Sequence, residues 1–337
     1  MKKKLLIAAG GILITAALLR LWNPPAENIS WEQRTMGTRC HITIAEKISK
    51  RELSELREKI DAALNDVEQQ MSVWRTDSEI STFNAFDSTE LFAVSPAFYN
   101  VVERALEISK STGGAFDPTV KPLVDFFGFG AEKNETPVEE ILNAVGWKKI
   151  QLCPPAAIRK LHPGVQLDLS AIAKGYGVDR VAEEIHAASV KNFIVEIGGE
   201  IRAEGKNSKG TNWRVGIETP EADKPFGAVI LQSIELSGRA LATSGSYRQF
   251  KTNAAGVRVS HLVDPRTGAP AETDIASVTV LADRCIDADA AATALFVLGS
   301  DAALAWLETR PELSAHFILH AGGEIFIIQS SVNWPRE

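Results

Sequence analysis

Leu53, Leu56, Ile60, Leu64, Val67 and Met71 recur at intervals of three and four residues, which puts six apolar side chains on one face of a helix. Just upstream, Arg39-Cys-His-Ile-Thr-Ile44 alternates with period two, as a half-buried strand does. The same switch of period repeats along the chain. A second helix is expected from the cap candidate Ser95 through Phe98, Val102, Ala105 and Leu106 to Gly113-Gly114, and others near 172–188 and 287–298. Between them Asn192–Ile197, Trp213–Ile217, Ala228–Leu231 and Ala276–Leu281 read as strands, and Ala315–His320 with Ile325–Gln329 reads as a hairpin turning at Gly322-Gly323. No internal repeat is present. Strands in the middle flanked by helices give an α+β fold class.

Composition supports a packed core: 45% of the 337 residues are hydrophobic and 23% charged, which excludes disordered and collagen-like chains. With only three cysteines, Cys40, Cys153 and Cys285, a disulfide scaffold is excluded as well. They read as small buried hydrophobes, and no CxxC or Cys/His cluster points to zinc. Four of the 36 basic residues (Lys2, Lys3, Lys4 and Arg20) fall in the first twenty positions, leaving 32 against 43 acidic residues beyond them. So acidic a body lacks the basic footprint that nucleic acid requires.

The N-terminus reads as an address. A lysine-led start is followed by Leu5–Leu19, apolar or near neutral throughout, and closed by Arg20. That run has secretory-signal length and falls short of the roughly 20 residues that span a bilayer comfortably, although Leu21 and Trp22 extend it. No small-x-small cleavage site follows it and no lipoprotein cysteine stands after it. An uncleaved signal-anchor, N-terminus inside and body exported, is favoured over a cleaved signal peptide. The organisation is then 1–22 signal-anchor or signal peptide, 23–30 linker, and 31–337 one domain, anchored in the inner (cytoplasmic) membrane and facing the periplasm or cell exterior.

Several short segments invite chemistry. Gly113-Gly-Ala-Phe-Asp-Pro-Thr119 packs two glycines, an acid and a proline into a turn, which either brings bare backbone close to a ligand or simply stops a helix. Leu167-Asp-Leu-Ser-Ala-Ile-Ala-Lys-Gly-Tyr176 offers Asp168 and Ser170 as caps, then small residues opening a helix, where free N–H groups and the dipole suit a phosphate. Lys174 adds charge there or is solvated. In Cys285–Gly299, Asp289 and Thr293 stand four apart on one helical face, a carboxylate and hydroxyl pair suited to Mg²⁺, whereas Asp287 points elsewhere. Ser260–Pro270 combines His261, a possible general base, with an Asp-Pro and Thr-Gly turn. Ala242-Thr-Ser-Gly-Ser-Tyr-Arg248 lacks the G-x-S-x-G elbow of a serine nucleophile.

Taken together and in order, Met36-Gly-Thr38, Met71–Ile80 leading to Phe83-Asn84, Gly113–Thr119, Asp168–Tyr176, Val195-Glu-Ile-Gly-Gly-Glu200, Ala242–Tyr247, His261–Gly268 and Asp289–Thr293 resemble the ApbE family of flavin transferases. The resemblance runs from about residue 31 to about residue 330. It implies a T-fold-like α+β architecture of mixed or antiparallel sheets packed with helices. It also implies FAD and Mg²⁺, and transfer of FMN from FAD onto a threonine or serine of an acceptor protein with release of AMP. Acceptors of the family are typically exported or membrane redox subunits of Nqr- and Rnf-like electron-transport complexes.

Carried over to this sequence, the resemblance implies FAD contacts from Met36, from Trp74 in the place of the family's usual aromatic, from Ala115, Phe116 and Asp117, and from Asp168, Lys174 and Val263. It implies metal ligation by the Ala171 carbonyl with Asp289 and Thr293. Trp74 in place of a tyrosine keeps stacking and loses a hydroxyl. For the base that deprotonates the acceptor hydroxyl, His261 is the first candidate and Asp264 the second. Competing functions are an FAD pyrophosphatase, with water in the acceptor's place, and a non-catalytic flavin-binding exported protein, which would have no need of metal ligands at the pyrophosphate.

Overall fold

The computed structural model describes residues 28–221, 228–246, 250–252, 258–322 and 325–335. The N-terminal segment 1–22, most of the linker, Tyr247 and Gly323 lie outside them. Among the described residues no helix is long and apolar enough to cross a membrane.

The central element is an eight-stranded sheet whose spatial order is the chain order: β1 (Ile29–Thr35), β2 (Thr38–Ile44), β3 (Phe193–Ile197), β4 (Glu200–Glu204), β5 (Arg239–Gly245), β6 (Ile275–Ala282), β7 (Ser314–His320) and β8 (Phe326–Ser330). Every neighbouring pair is antiparallel. Of the two sheet arrangements expected, mixed or antiparallel, the described residues form the antiparallel one. Helices α1 (Lys50–Met71), α2 (Pro96–Ser111), α3 (Ser170–Ala187), α4 (Cys285–Leu298) and α5 (Ser300–Glu308) enter between strands.

The apolar stripe of α1 packs where its spacing put it: Leu56, Ile60 and Leu64 meet Val178, Val181, Ala182 and Ile185 of α3 over Ile42, Ile44, Phe193 and Val195 of the sheet. Ser49 and Glu52 close a reciprocal capping box at the start of α1, and Ser95 accepts the Phe98 N–H at the start of α2, as its position predicts. Helix α4 has no polar stripe; eleven of its fourteen residues are buried, because α3 covers one side and β5–β7 the other. On the opposite sheet face a ribbon of Trp213–Glu218 and Ile230–Leu236 covers Leu281 and Ile318. The second strand of that ribbon therefore starts two residues later than the Ala228–Leu231 expected from sequence and runs on to Leu236. With both faces covered, all eight residues of β6 are buried, and a register shift between Ile275 and Ser277 changes which residues meet each layer.

The three cysteines are free; Cys40 and Cys285 are buried and Cys153 is partly exposed. The loop into α3 is braced by two buried polar residues. Asn84 donates from Nδ2 to the Leu167 carbonyl (2.8 Å) and accepts the Leu167 N–H on Oδ1 (2.6 Å). Lys160 donates to the carbonyls of Phe86 (2.8 Å) and Asn84 (3.1 Å), with its ammonium 4.8 Å from the Phe83 ring centroid.

Burial pulls the Lys160 ammonium down to about 8, whereas the unfolded chain keeps its proton to the ordinary 10.5. Between those values the unfolded state holds the extra proton, so this group makes stability rise with pH. Urea midpoints of wild type and Lys160→Met, compared at about pH 7.5 and about pH 10, should show a more favourable pH change in the wild type. Parallel changes would mean that the ammonium is not depressed.

Candidate functional site

Two short backbone connections bring the charged residues of the site together. The β1–β2 connection is a two-residue turn in which Met36 (φ 47°) and Gly37 (φ 71°) are both left-handed. For methionine that conformation costs energy, and the turn is held by Glu68 of α1, whose Oε1 accepts from the Met36 N–H and the Thr35 hydroxyl, both at 2.8 Å. The Met36 side chain lies on Gly177 of α3, where an added Cβ would come within 2.5 Å of its Cε. The β3–β4 connection, Gly198-Gly199, is also left-handed at both residues and delivers Glu200 into the interior, 3% exposed.

At the junction of α3, β4 and α4 lies a cluster of charges. Lys174 Nζ donates to Glu200 Oε1 at 2.6 Å and stands 4.0 Å from Asp289 Oδ1. Asp289 is 3% exposed, and its Oδ2 accepts the Gly175 N–H at 2.8 Å. In a regular helix that N–H closes on the Ala171 carbonyl. Asp289 therefore competes with the Ala171 carbonyl for its helical donor. Thr293, one turn along α4, shares a 3.2 Å hydrogen bond with Ser244 of β5. Burial pushes the Glu200 carboxyl up to about 8 against the pull of Lys174, and raises Asp289 in the same way. Burial works against the Lys174 ammonium, yet the Glu200 and Asp289 carboxylates outweigh it and hold its pKa above the ordinary lysine range.

Ala171, Lys174, Asp289 and Thr293 thus sit on the two facing helices. Among the described residues no group of three or more His, Cys, Asp or Glu side chains forms a cation cage. The oxygen set present is one carboxylate, one hydroxyl and one backbone carbonyl. Asp287 points away, to Arg104 of α2 (2.7 Å), as its place on the helix requires.

The remaining predicted residues lie at the entry of α3, in the 115–117 turn, in the 261–268 segment and on the loop after α1. Asp168 donates its backbone N–H to the Pro118 carbonyl (2.7 Å), which ties the entry of α3 to the 115–119 turn. Its Oδ1 accepts the Ser170 N–H at 2.8 Å; the two residues expected as caps flank the cap position, which Leu169 takes, with Asp168 just before it and Ser170 as the first helical residue. Ala115 and Phe116 are buried, and Phe116 belongs to the core. Asp117 is committed to the protein: Oδ1 accepts from the Thr119 N–H (2.8 Å) and hydroxyl (2.6 Å), Oδ2 from the Trp147 N–H (2.6 Å), and burial still raises its pKa. Trp74 is 67% exposed on the loop after α1.

Val263 is buried beside Leu123, Ile141 and Val145, and a Cβ on Gly114 would lie 3.9 Å from the Arg266 stem, which puts the 261–268 segment next to the 113–119 turn. His261 packs edge-on to Phe129, ring centroids 6.2 Å apart. Asp264 is occupied by Arg266, which reaches Oδ1 through Nε (2.9 Å) and Oδ2 through Nη2 (2.8 Å).

Sequence reasoning left out Glu200 and Glu68 as individual site residues. The Gly-Gly-Glu ending of a strand was the available signal for Glu200, since a glycine pair can turn a charge inward. Glu68 gave none, being one of several polar residues on α1.

The ApbE family model matches residues 36–318. The FAD:protein FMN transferase of Vibrio cholerae is 39% identical, over 90% of this chain and 90% of its own length. That of Haemophilus influenzae is 40% identical, over 95% of each. Among solved structures, the flavin transferase ApbE from Vibrio cholerae aligns with a TM-score of 0.82 at 38% identity, covering 92% of this chain and 99% of that one. The apo flavinyl transferase ApbE of Pseudomonas stutzeri aligns with a TM-score of 0.80 at 30% identity, covering 91% and 95%.

A Cβ on Gly175 would fall 2.4 Å from the Cys285 carbonyl oxygen and 2.7 Å from Asp289 Cβ. Gly175→Ala must push α3 from α4, and overpacking of this kind costs about 1–3 kcal/mol. The expected result is a lower urea midpoint, equivalent through the m-value to an unfolding free energy reduced by that amount; an unchanged midpoint would mean that the helices are not in contact there.

Proposed function

The chain belongs to the ApbE family, and from that membership we propose that it transfers FMN from FAD to a Ser or Thr hydroxyl of an acceptor protein and releases AMP. The observation that carries the reading is the buried meeting of Lys174, Glu200 and Asp289, with Thr293 one turn away, on a chain similar over nine-tenths of its length to a protein named for that activity. A cation beside two carboxylates, out of water, is an arrangement for handling charge on phosphate.

The residues suit Mg²⁺. Asp289, Thr293 and the Ala171 carbonyl offer hard oxygens, and too few of them to enclose the ion, which leaves positions for phosphate oxygens and water. When bound, the ion supplies charge neutralisation at the pyrophosphate. The chain's own groups do the rest. Lys174 brings a lasting positive charge to the pyrophosphate. The left-handed turn at Met36 and the tightly held 115–117 segment present bare backbone to the rest of FAD, with Asp168 and Val263 on either side, and Trp74 offers an aromatic face.

The acceptor Oγ forms a bond to the phosphorus on the riboflavin side, the pyrophosphate bridge breaks, and its electron pair leaves on AMP. His261 takes the Oγ proton on an imidazole nitrogen. Asp264 is the weaker base, because Arg266 already occupies both of its oxygens. The acceptor class is an exported or membrane redox subunit of the Nqr or Rnf kind. It is reached from an inner-membrane anchor formed by residues 1–22, with the domain on the periplasmic or outer side.

The test is to incubate the full chain in detergent with FAD, Mg²⁺ and such a subunit, and to follow acceptor mass and AMP together. One added FMN per acceptor with equimolar AMP is expected. Free FMN and AMP with an unmodified acceptor would make the protein a pyrophosphatase, and no AMP would make it a flavin binder. His261→Ala should slow transfer by about 10²–10⁴-fold near neutral pH. Asp289→Asn should lose the Mg²⁺ response, and a wild-type metal titration in that variant would remove Asp289 from the site.

A further inference from the structure

Lys174 stands between two buried carboxylates and is bonded to only one. It is 2.6 Å from Glu200 Oε1 and 4.0 Å from Asp289 Oδ1. Its stem runs along the β3–β4 turn, where a Cβ on Gly198 would lie 3.5 Å from the lysine Cδ. The lysine side chain keeps 31% of its surface exposed, against 4% for Glu200 and 5% for Asp289, so the ammonium has room to move and the carboxylates do not.

Glu200 is not woven into the fold in the manner of Asp117, or of Asp179 on α3, whose Oδ1 accepts from Arg202 and the Cys285 N–H and whose Oδ2 accepts the Ile286 N–H. Its Oε2 is buried and has no hydrogen-bond partner. Leaving a buried acceptor unmade costs about 1–3 kcal/mol, and a structural role would be met as well by an uncharged residue. What Glu200 does through its other oxygen is hold Lys174.

We infer that Glu200 is a positioning residue that draws the Lys174 ammonium off Asp289 and thereby keeps Asp289 Oδ1 open to a divalent cation. The inference rests on the reading of Asp289 as a metal ligand. Asp289 Oδ2 is fixed by the Gly175 N–H, which leaves Oδ1 as the oxygen over which lysine and metal compete. Without the Glu200 carboxylate at full reach, the ammonium closes the gap of 4.0 Å and pairs with Oδ1. The metal must then displace a buried salt bridge.

Charge alone and reach can be separated. Glu200→Gln keeps the length and removes the charge; Glu200→Asp keeps the charge and withdraws it by one methylene, beyond hydrogen-bond distance of Nζ at its wild-type position. The probe is Mn²⁺ alone, titrated into the full chain in detergent without FAD, with free Mn²⁺ read by electron paramagnetic resonance and folding checked by circular dichroism. Both variants should bind Mn²⁺ at least tenfold more weakly than wild type, about 1.4 kcal/mol. Wild-type affinity in Glu200→Asp would overturn the inference, whether or not Glu200→Gln is weakened, since the effect would then be charge or nothing. If Asp289→Asn binds Mn²⁺ as the wild type does, the metal-site reading itself falls. A second readout is the metal-free crystal structure of Glu200→Gln. Lys174 Nζ should lie within hydrogen-bond distance of Asp289 Oδ1, and an ammonium left at its wild-type position would count against the inference.

Discussion

Helices α3 and α4 meet at Gly175 with no room for a side chain between them, and the site depends on that closeness. A Cβ there would sit 2.4 Å from the Cys285 carbonyl oxygen. Only at this separation can the Gly175 N–H reach Asp289 Oδ2 across the helix interface. One turn further along α3, Asp179 completes the attachment: its Oδ1 and Oδ2 accept the Cys285 and Ile286 N–H groups, both at 3.0 Å, and Arg202 of β4 holds it at 2.8 Å. Helix α4 begins with unsatisfied donors like any other helix, and here the cap comes from a neighbouring helix rather than from its own chain. Three bonds at two heights fix α4 against α3 in translation and in rotation.

Such a junction concentrates charge where water is scarce. Lys174, Glu200, Asp289 and Asp179 all lie within it, and their interactions are strengthened by the low local dielectric that also makes any unpaired member costly. The fold balances this by pairing: Arg202 with Asp179, Lys174 with Glu200. The imbalance left over is the single orphan oxygen of Glu200 and the open distance between Lys174 and Asp289. Strain is local to the same region. Met36 is one of two described non-glycine residues in the left-handed region, and it lies directly on α3.

Much of this was readable in the sequence wherever one physical rule acted alone. The stripe on α1 predicted its buried face, and Ser95 predicted the start of α2. The spacing of Asp289 and Thr293 placed both on one face of α4, and sent Asp287 to Arg104. Legibility failed where partners are distant. Glu200 and Lys174 are 26 positions apart, and Asp289 is a further 89 beyond Glu200. No local pattern states that the chain-ordered sheet will bring them together. Asp117 and Asp168 looked equivalent as acids in turns, yet one is consumed by Thr119 and Trp147 while the other accepts a single N–H, that of Ser170. Asp168 and Ser170 both looked like caps, but the chain places Leu169 at the cap position between them. The start of the Ile230–Leu236 strand was misplaced because Ala228 and Val229 continue its apolar character without pairing as it does.

Transfer of a group to another protein demands a site with two unlike ends, and the exposure of the residues follows that division. The Glu200 and Asp289 carboxylates are almost wholly buried, which suits the metal and pyrophosphate chemistry proposed for them. An acceptor hydroxyl borne by a folded subunit can arrive only from outside, and two residues of the proposed site are open on that side: Trp74 is exposed on its loop and His261 is partly exposed against Phe129. Asp264 lies on this outer side too, but its bidentate pairing with Arg266 makes it a brace, since Arg266 also reaches the Val297 carbonyl at the end of α4 at 3.4 Å. That contact ties the segment carrying His261 to the same helix that carries Asp289.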